Sequence, residues 1–129
     1  MEEKRKLKKD LAREFGAFSE EMAAMDYIRK GYTVLERNWR LGKTEIDLIV
    51  QKDDTVAIVE VKARATNEAD ALNSVSTDKR KRMVKAADAY LRTLPGDMKY
   101  RFDVVACNGS PQNFEMEVVE NAFVSADIF

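Results

Sequence analysis

A chain of 129 residues with a net charge of −1 has room for one domain, over residues 1–129, and lacks the excess of basic charge that marks a general polyanion binder. With no histidine and one cysteine, Cys107, it excludes a Ser-His-Asp or Cys-His arrangement, a His- or thiolate-based zinc site and a disulfide framework. No glycine-rich phosphate loop, bilayer-length apolar run or signal-peptide core is visible, so a cytoplasmic protein without a membrane partner is expected, with chemistry resting on carboxylates, lysine or arginine, hydroxyls and a hard metal.

Residues 4 to 30 read as a helix, with Leu7, Leu11, Phe15, Phe18, Met22 and Met25 as its apolar stripe, Gly16 as a point of interruption and Gly31 as the stop. The basic run Lys4-Arg5-Lys6 with Lys8-Lys9 reads first as a solvated helix face. Tyr32 to Trp39 is expected as a strand, closed by Arg37, Asn38 and Arg40.

Thr44 to Val50 and Val56 to Arg64 are short, β-branched arms around the polar Lys52-Asp53-Asp54-Thr55, the pattern of a β-hairpin. With Asp53 and Asp54 as turn residues, Lys52 faces Thr55, and counting along the ladder sets Asp47 opposite Glu60 and Glu45 opposite Lys62. Directly opposed side chains share a face with Cβ atoms roughly 4.5 to 5.5 Å apart, so two carboxylates facing one another in an apolar hairpin require compensation. A divalent cation with hard oxygen ligands would supply it, with Lys62 beside the ion to offset charge on a phosphate or to orient a water. A structural salt-bridge cluster of Glu45, Asp47, Glu60 and Lys62 explains the same pattern equally well. The remaining apolar residues are expected with Ile49 and Ile58 on the carboxylate face and Ile46, Leu48, Val50, Ala57, Val59 and Val61 on the other.

Ala65 to Ser76 is expected as a loop next to this site, and Arg64 could hold a phosphate or a surface ion pair. Ser76 or Thr77 caps a helix to about Arg92, with Met83, Val84, Ala87, Tyr90, Leu91 and Leu94 at helical spacing and Pro95-Gly96 as its end. Lys79, Arg80, Lys81 and Arg82 in its first turns contradict the preference for acids there, and an external phosphate would relieve that conflict. Arg101 to Cys107 reads as a strand with Cys107 as a small core residue, Asn108-Gly109-Ser110-Pro111 as a turn, and Phe114, Met116 and Val118 as the inner face of an edge strand. Ala122-Phe123-Val124 is an apolar tail that docks on the sheet. The order α-β-β-β-α-β with a last short strand gives an α/β fold with a mixed central sheet flanked by helices.

Asp47, followed by Glu60-Val61-Lys62, resembles the D...(D/E)-x-K signature of the restriction-endonuclease-like superfamily, which includes Holliday junction resolvases. The closer resemblance is to the YraN family, carried by Lys30-Gly31-Tyr32, Leu35 to Arg40, Glu45 to Ile49, Val59 to Arg64, Arg101 to Ala106 and Asn121-Ala122-Phe123. Two positions depart from it, Ser19 and Thr44, where relatives usually carry glycine. The resemblance implies an αβββαβ core and a Mg²⁺- or Mn²⁺-dependent endonuclease acting on nucleic acid, DNA with branched structure in particular. Glu20, Asp47, Glu60 and the Val61 carbonyl would hold the metal, with Glu21 the alternative to Glu20 in helix register, and Asp47, Glu60 and Lys62 would be catalytic. Arg64, Lys79, Arg80 and Arg82 would contact nucleic acid. The resemblance leaves a homodimer open, and also a non-catalytic binding or scaffold protein that keeps the fold.

Overall fold

The β-branched arms around Asp53-Asp54 fold as the hairpin that their pattern predicts, and every other element is placed against them. The computed structural model describes residues 1–65 and 75–124. In chain order the elements are α1 (Glu2–Arg29), β1 (Thr33–Leu41), β2 (Thr44–Lys52), β3 (Thr55–Arg64), α2 (Thr77–Leu91), β4 (Lys99–Ser110) and β5 (Asn113–Phe123). The sheet runs β1-β2-β3-β4-β5. Only β3 and β4 are parallel, a pairing that needs a long crossover, and α2 provides it. This is the mixed α/β sheet with flanking helices that the sequence order predicts, extended by a full strand at its far edge.

The two helices cover opposite faces. On one, Phe15, Ala23, Ala24 and Tyr27 of α1 pack with Leu48, Val50, Ala57, Val59, Val105 and Cys107. On the other, Met83, Ala86, Ala87 and Tyr90 of α2 pack with Ile46, Ile49, Val56, Ile58, Phe102, Val104 and Ala106. Burial on both faces is why β3 reads as a continuous apolar run rather than an alternation.

The seat of α1 differs from its expected stripe. Leu7, Leu11 and Met25 are 59%, 55% and 42% exposed, and the buried row is Phe15, Ser19, Ala23 and Tyr27, at four-residue steps. Small side chains let the helix backbone approach the sheet closely, whereas the larger Leu and Met residues lie beside or beyond it. Gly16 does not interrupt the helix. Gly31, with φ at +95°, stops it as predicted.

Ser76 caps α2, its hydroxyl accepting from the Lys79 N–H at 3.2 Å. The expected loop before it falls largely on 66–74, outside the described residues. The turn expected at Asn108 to Pro111 lies later, because Gly109 and Ser110 belong to β4 and pair with Phe114 and Asn113. Gly109 has φ at +121°, and a Cβ there would collide with the Asn113 carbonyl. It serves a close approach of two strands rather than a bend. The apolar tail is likewise strand: Phe123 ends β5, pairs with Phe102 and stacks on its ring at 4.7 Å.

Asp103 on β4 is fully buried and satisfied. It accepts from the Tyr27 hydroxyl at 2.7 Å, from Arg101 Nε at 2.9 Å and from the Asn121 N–H at 3.0 Å, while Arg101 Nη2 donates to the Tyr32 hydroxyl at 2.7 Å. Asn121 presents its N–H from a left-handed conformation with φ at 51°, where the β4–β5 register shifts. Burial and the Asp103 charge hold the Tyr27 hydroxyl well above its ordinary pKa. One carboxylate thus joins α1, β4 and β5 behind the site.

Candidate functional site

The hairpin ladder follows the predicted register from Lys52 opposite Thr55 to Leu48 opposite Val59, and there it ends. Beyond that pair β2 remains bonded to β1 alone and β3 to β4 alone, so the two arms part where Asp47 and Glu60 would have met. Continued register would set Val61 opposite Ile46. Instead the Val61 N–H donates to Asp47 Oδ2 at 2.7 Å, a side-chain oxygen taking the place of a backbone carbonyl. In a strand a residue's N–H and C=O point to the same edge, so the Val61 carbonyl faces this gap too.

Two expectations are corrected by the opening. The pairs Asp47–Glu60 and Glu45–Lys62 are not ladder partners; Glu45 lies opposite Arg40 on β1 and is bonded to it at 2.7 Å. Ile46 packs on the α2 face with Ile49 rather than with Leu48. Alternation breaks at Asp47, whose neighbour across β1 is Asn38, with φ at 51°. The Asp47 carboxylate turns into the gap to accept from the Val61 N–H, and Asp47 and Glu60 are not held directly opposite one another.

Three carboxylates converge at the opening. Glu20 from α1 and Glu45 and Asp47 from β2 each offer an oxygen, all within 4.8 Å of one another. Glu45 and Asp47 reach one place although strict alternation fails between them, because Asp47 turns its carboxylate towards the Val61 N–H at the parted hairpin. Glu20 is half-buried, while Glu21 is exposed and pairs with Arg37 at 2.8 Å, so the helix register favours Glu20. Ser19, next to it, is fully buried in the helix–sheet contact, and Thr44 begins β2 opposite Leu41.

Glu60 stands apart from that trio. It is only 2% exposed; Oε1 receives Lys79 Nζ at 2.6 Å and Lys62 Nζ at 3.6 Å, and Oε2 is buried with no hydrogen-bond partner among the described residues. Lys79 therefore turns into the site rather than outward. The electrostatics follow from this crowding. Burial, then the Glu60 charge, push Asp47 up to about 8 against the downward pull of the Val61 N–H. Burial also raises Glu20, with the charges of Glu45 and Glu60 adding to it and a hydrogen bond with Asp47 opposing it. Arg40 pairs with Glu45 and Lys79 with Glu60, and neither is bonded to Asp47.

A cleft of about 290 Å³ opens here, lined by Lys43, Thr44, Glu45, Asp47, Lys79 and Arg82. Arg64, at the end of β3, has Nε and Nη2 buried without a hydrogen-bond partner among the described residues. Arg80 is not in the cleft lining: its Nε donates to the Val75 carbonyl at 2.9 Å and its guanidinium lies 5.3 Å from the centre of the Phe123 ring. Glu45, expected only as a member of a structural salt-bridge cluster with Asp47, joins the carboxylate trio, and Lys79 as the partner of Glu60 was not expected from the sequence. The Glu45-x-Asp47 spacing carried the first of these signals; nothing local to Lys79 carried the second.

Residues 19–107 match the profile of the uncharacterised protein family UPF0102. The chain belongs to that family. This is the YraN family of the resemblance, and Glu20, Asp47, Glu60 and Lys62 all lie in the matched segment. Similar relatives carry the name UPF0102 protein. One, from Phocaeicola vulgatus, is 37% identical over 85% of this chain and 92% of its own length. Another, from Chloroherpeton thalassium, is 40% identical over 89% and 92%, and one from Nitrosomonas europaea is 38% identical over 84% and 92%. Among the described residues no helix is long and apolar enough to cross a membrane.

Proposed function

We propose that the protein is a Mg²⁺- or Mn²⁺-dependent phosphodiester hydrolase acting on nucleic acid, an endonuclease, with branched DNA as the substrate that the superfamily resemblance favours. The observation that carries this reading is the convergence of Glu20, Glu45 and Asp47 at the parted hairpin, where burial and the Glu60 charge drive Asp47 up to about 8.

The residues fit a hard divalent cation. Every side-chain ligand is a carboxylate, the Val61 carbonyl faces the gap, and Glu60 Oε2 is a buried acceptor with no donor among the described residues. Glu20, Glu45 and Asp47 would hold the ion, with Glu60 completing the set once Lys79 releases it. Such an ion, when bound, polarises a phosphate oxygen and lowers the pKa of water.

The other groups act by charge and position. Lys62, 3.6 Å from Glu60 Oε1 and 30% exposed, is held at the rim of the gap by its carboxylate partner and faces solvent with its remaining donors. There it offsets charge developing on the scissile phosphate and orients the attacking water. Arg82 in the cleft wall and Arg64 at the end of β3 hold flanking phosphates. Lys79 and Arg80, with their engaged side chains, contribute to such contacts only by exchanging partners.

One observation favours a second reading, a non-catalytic nucleic-acid-binding protein. The Lys79–Glu60 pair at 2.6 Å satisfies part of the acidic site without any ion. Thermal unfolding with and without Mn²⁺ separates the two. The metal-dependent reading expects Mn²⁺ to raise Tm and Asp47→Asn to abolish the rise; an equal rise in wild type and variant removes the metal site.

A further inference from the structure

The acidic site and the N-terminal half of α1 are one continuous feature. Residues seven apart on a helix lie within about 20° of each other, so Lys6, Arg13 and Glu20 form a single stripe. Arg5 and Lys9 flank it, each four residues before the next basic member. Between Arg13 and Glu20 the stripe passes over Gly16 and Ala17, and no atom lies within 4 Å of where a Gly16 Cβ would be. The backbone is open there. Asp10 borders the stripe, four residues after Lys6 and three before Arg13, and Glu2 and Glu3 lie beside Lys6, while Glu14 lies further round the helix; basic residues still outnumber acids over this half of α1.

Arg5, Lys6, Lys9 and Arg13 are all exposed, and among the described residues none has an ion pair. The α2 cluster differs, since Lys79 is committed to Glu60 and Arg80 to Val75 and Phe123. Cations in line on a rigid rod, without an ion pair among the described residues and ending at the carboxylates, match a polyanion with regular charge spacing. Lys6 to Glu20 spans roughly 21 Å at about 1.5 Å per residue, long enough to follow several successive phosphates of one strand.

We infer that this stripe is a phosphate track: one strand of a nucleic-acid duplex lies along α1 from the carboxylate cleft towards the N-terminus, so the protein binds duplex over several nucleotides on one side of the reacting phosphate. The inference rests on the reading of the cleft as a nucleic-acid site. It sets the solvated-face reading of the N-terminal cluster aside. Leu7 and Leu11 lie on the opposite side of the helix and do not take part.

The test is binding without cleavage. Fluorescence anisotropy in EDTA with a duplex of about 20 base pairs compares wild type, a stripe variant (Lys6→Glu, Lys9→Glu, Arg13→Glu) and a charge-matched control (Lys4→Glu, Lys8→Glu, Lys99→Glu) across a salt series. The stripe variant should bind at least about tenfold more weakly at low salt and show a log–log salt slope flatter by about two to three, while the control stays within about threefold. The glutamine version of the stripe triple, with helicity checked by circular dichroism, guards against misfolding and should lose affinity in the same order. Equal losses in stripe and control variants, or no duplex binding by wild type, overturn the track. So does stripe-dependent sedimentation with anionic vesicles in the absence of duplex binding. If wild type binds duplex through the stripe yet cuts nothing with Mg²⁺ or Mn²⁺, the track stands and the hydrolase reading fails. If it cuts while stripe variants bind unchanged, the hydrolase reading stands and the track fails.

Discussion

Lys79 of α2 sets its ammonium 2.6 Å from Oε1 of Glu60, whose side chain is 3% exposed at the point where β3 leaves β2. The pair joins a helix N-terminus to the most buried carboxylate of the site, and places a tethered cation where an acidic cluster needs one.

Removing that ammonium should therefore have two opposite effects. Lys79→Met leaves Glu60 buried beside Lys62 alone, and loss of about 3 kcal/mol of apo stability is expected, the scale for breaking a buried pair. The Mn²⁺-induced rise in Tm should grow, because no internal cation competes for Glu60. Denaturant unfolding gives the first effect and thermal shift the second. A variant with wild-type apo stability and an unchanged Mn²⁺ response would show that Lys79 and the ion do not share Glu60.

Asp47 makes stability depend on pH with a definite sign. Its carboxyl rises from the ordinary 3.8 to about 8 in the folded protein, so between those values the folded state holds a proton that the unfolded state has released. Its contribution is fully present below about pH 4 and is lost as pH rises towards 8, at no more than about 1.4 kcal/mol per unit. Without divalent cation, wild type should lose stability relative to Asp47→Asn as pH goes from 5 to about 8. With saturating Mn²⁺ the trend should reverse, because the ligand must be ionised. Urea unfolding across that range checks it; a constant difference between wild type and Asp47→Asn would contradict the burial of this carboxyl.

The buried network around Asp103 should matter to the fold rather than to chemistry. Asp103→Ala removes the acceptor of Arg101 Nε, of the Tyr27 hydroxyl and of the Asn121 N–H, and about 3 to 5 kcal/mol of destabilisation is expected. Tyr27→Phe removes one donor and should lose about 1 to 3 kcal/mol. Chemical denaturation measures both. If either variant unfolds like wild type while losing duplex binding, this network belongs to the ligand site.

Much of this arrangement is legible in residue order. Asp53-Asp54 between β-branched arms sets the hairpin register as far as Leu48 and Val59, and Ser76-Thr77 marks the α2 cap, which Ser76 supplies. Periodicity could not show where a ladder stops, because a side chain such as Asp47 competing for the Val61 N–H leaves no trace in the pattern. It also misjudged the seat of α1, since Ser19, Ala23 and Ala24 carry less hydrophobic signal than Leu7 or Met25 although they are the fully buried ones. Lys79 looked like an outward cation for the same reason: its partner Glu60 lies 19 residues earlier, on another element. Gly109 and Asn121 hold positive φ within strands, where composition reads a turn or nothing.

The most direct measurement is cleavage of a labelled panel of single-stranded, duplex, flap and four-way-junction DNA with Mg²⁺ or Mn²⁺, run for wild type, Glu60→Ala and Lys62→Ala alongside binding to the same panel in EDTA. The proposed function expects metal-dependent cutting by wild type, strongest on branched DNA. Lys62→Ala should cut about two to three orders of magnitude more slowly while binding within a few-fold, the scale for losing one electrostatic donor to a transition state. Glu60→Ala should be partly restored by raised Mn²⁺, and Lys62→Ala should not. Wild type that binds the panel in a salt-dependent way yet cuts no member of it with either metal would contradict the hydrolase and leave a binding protein built on the same site.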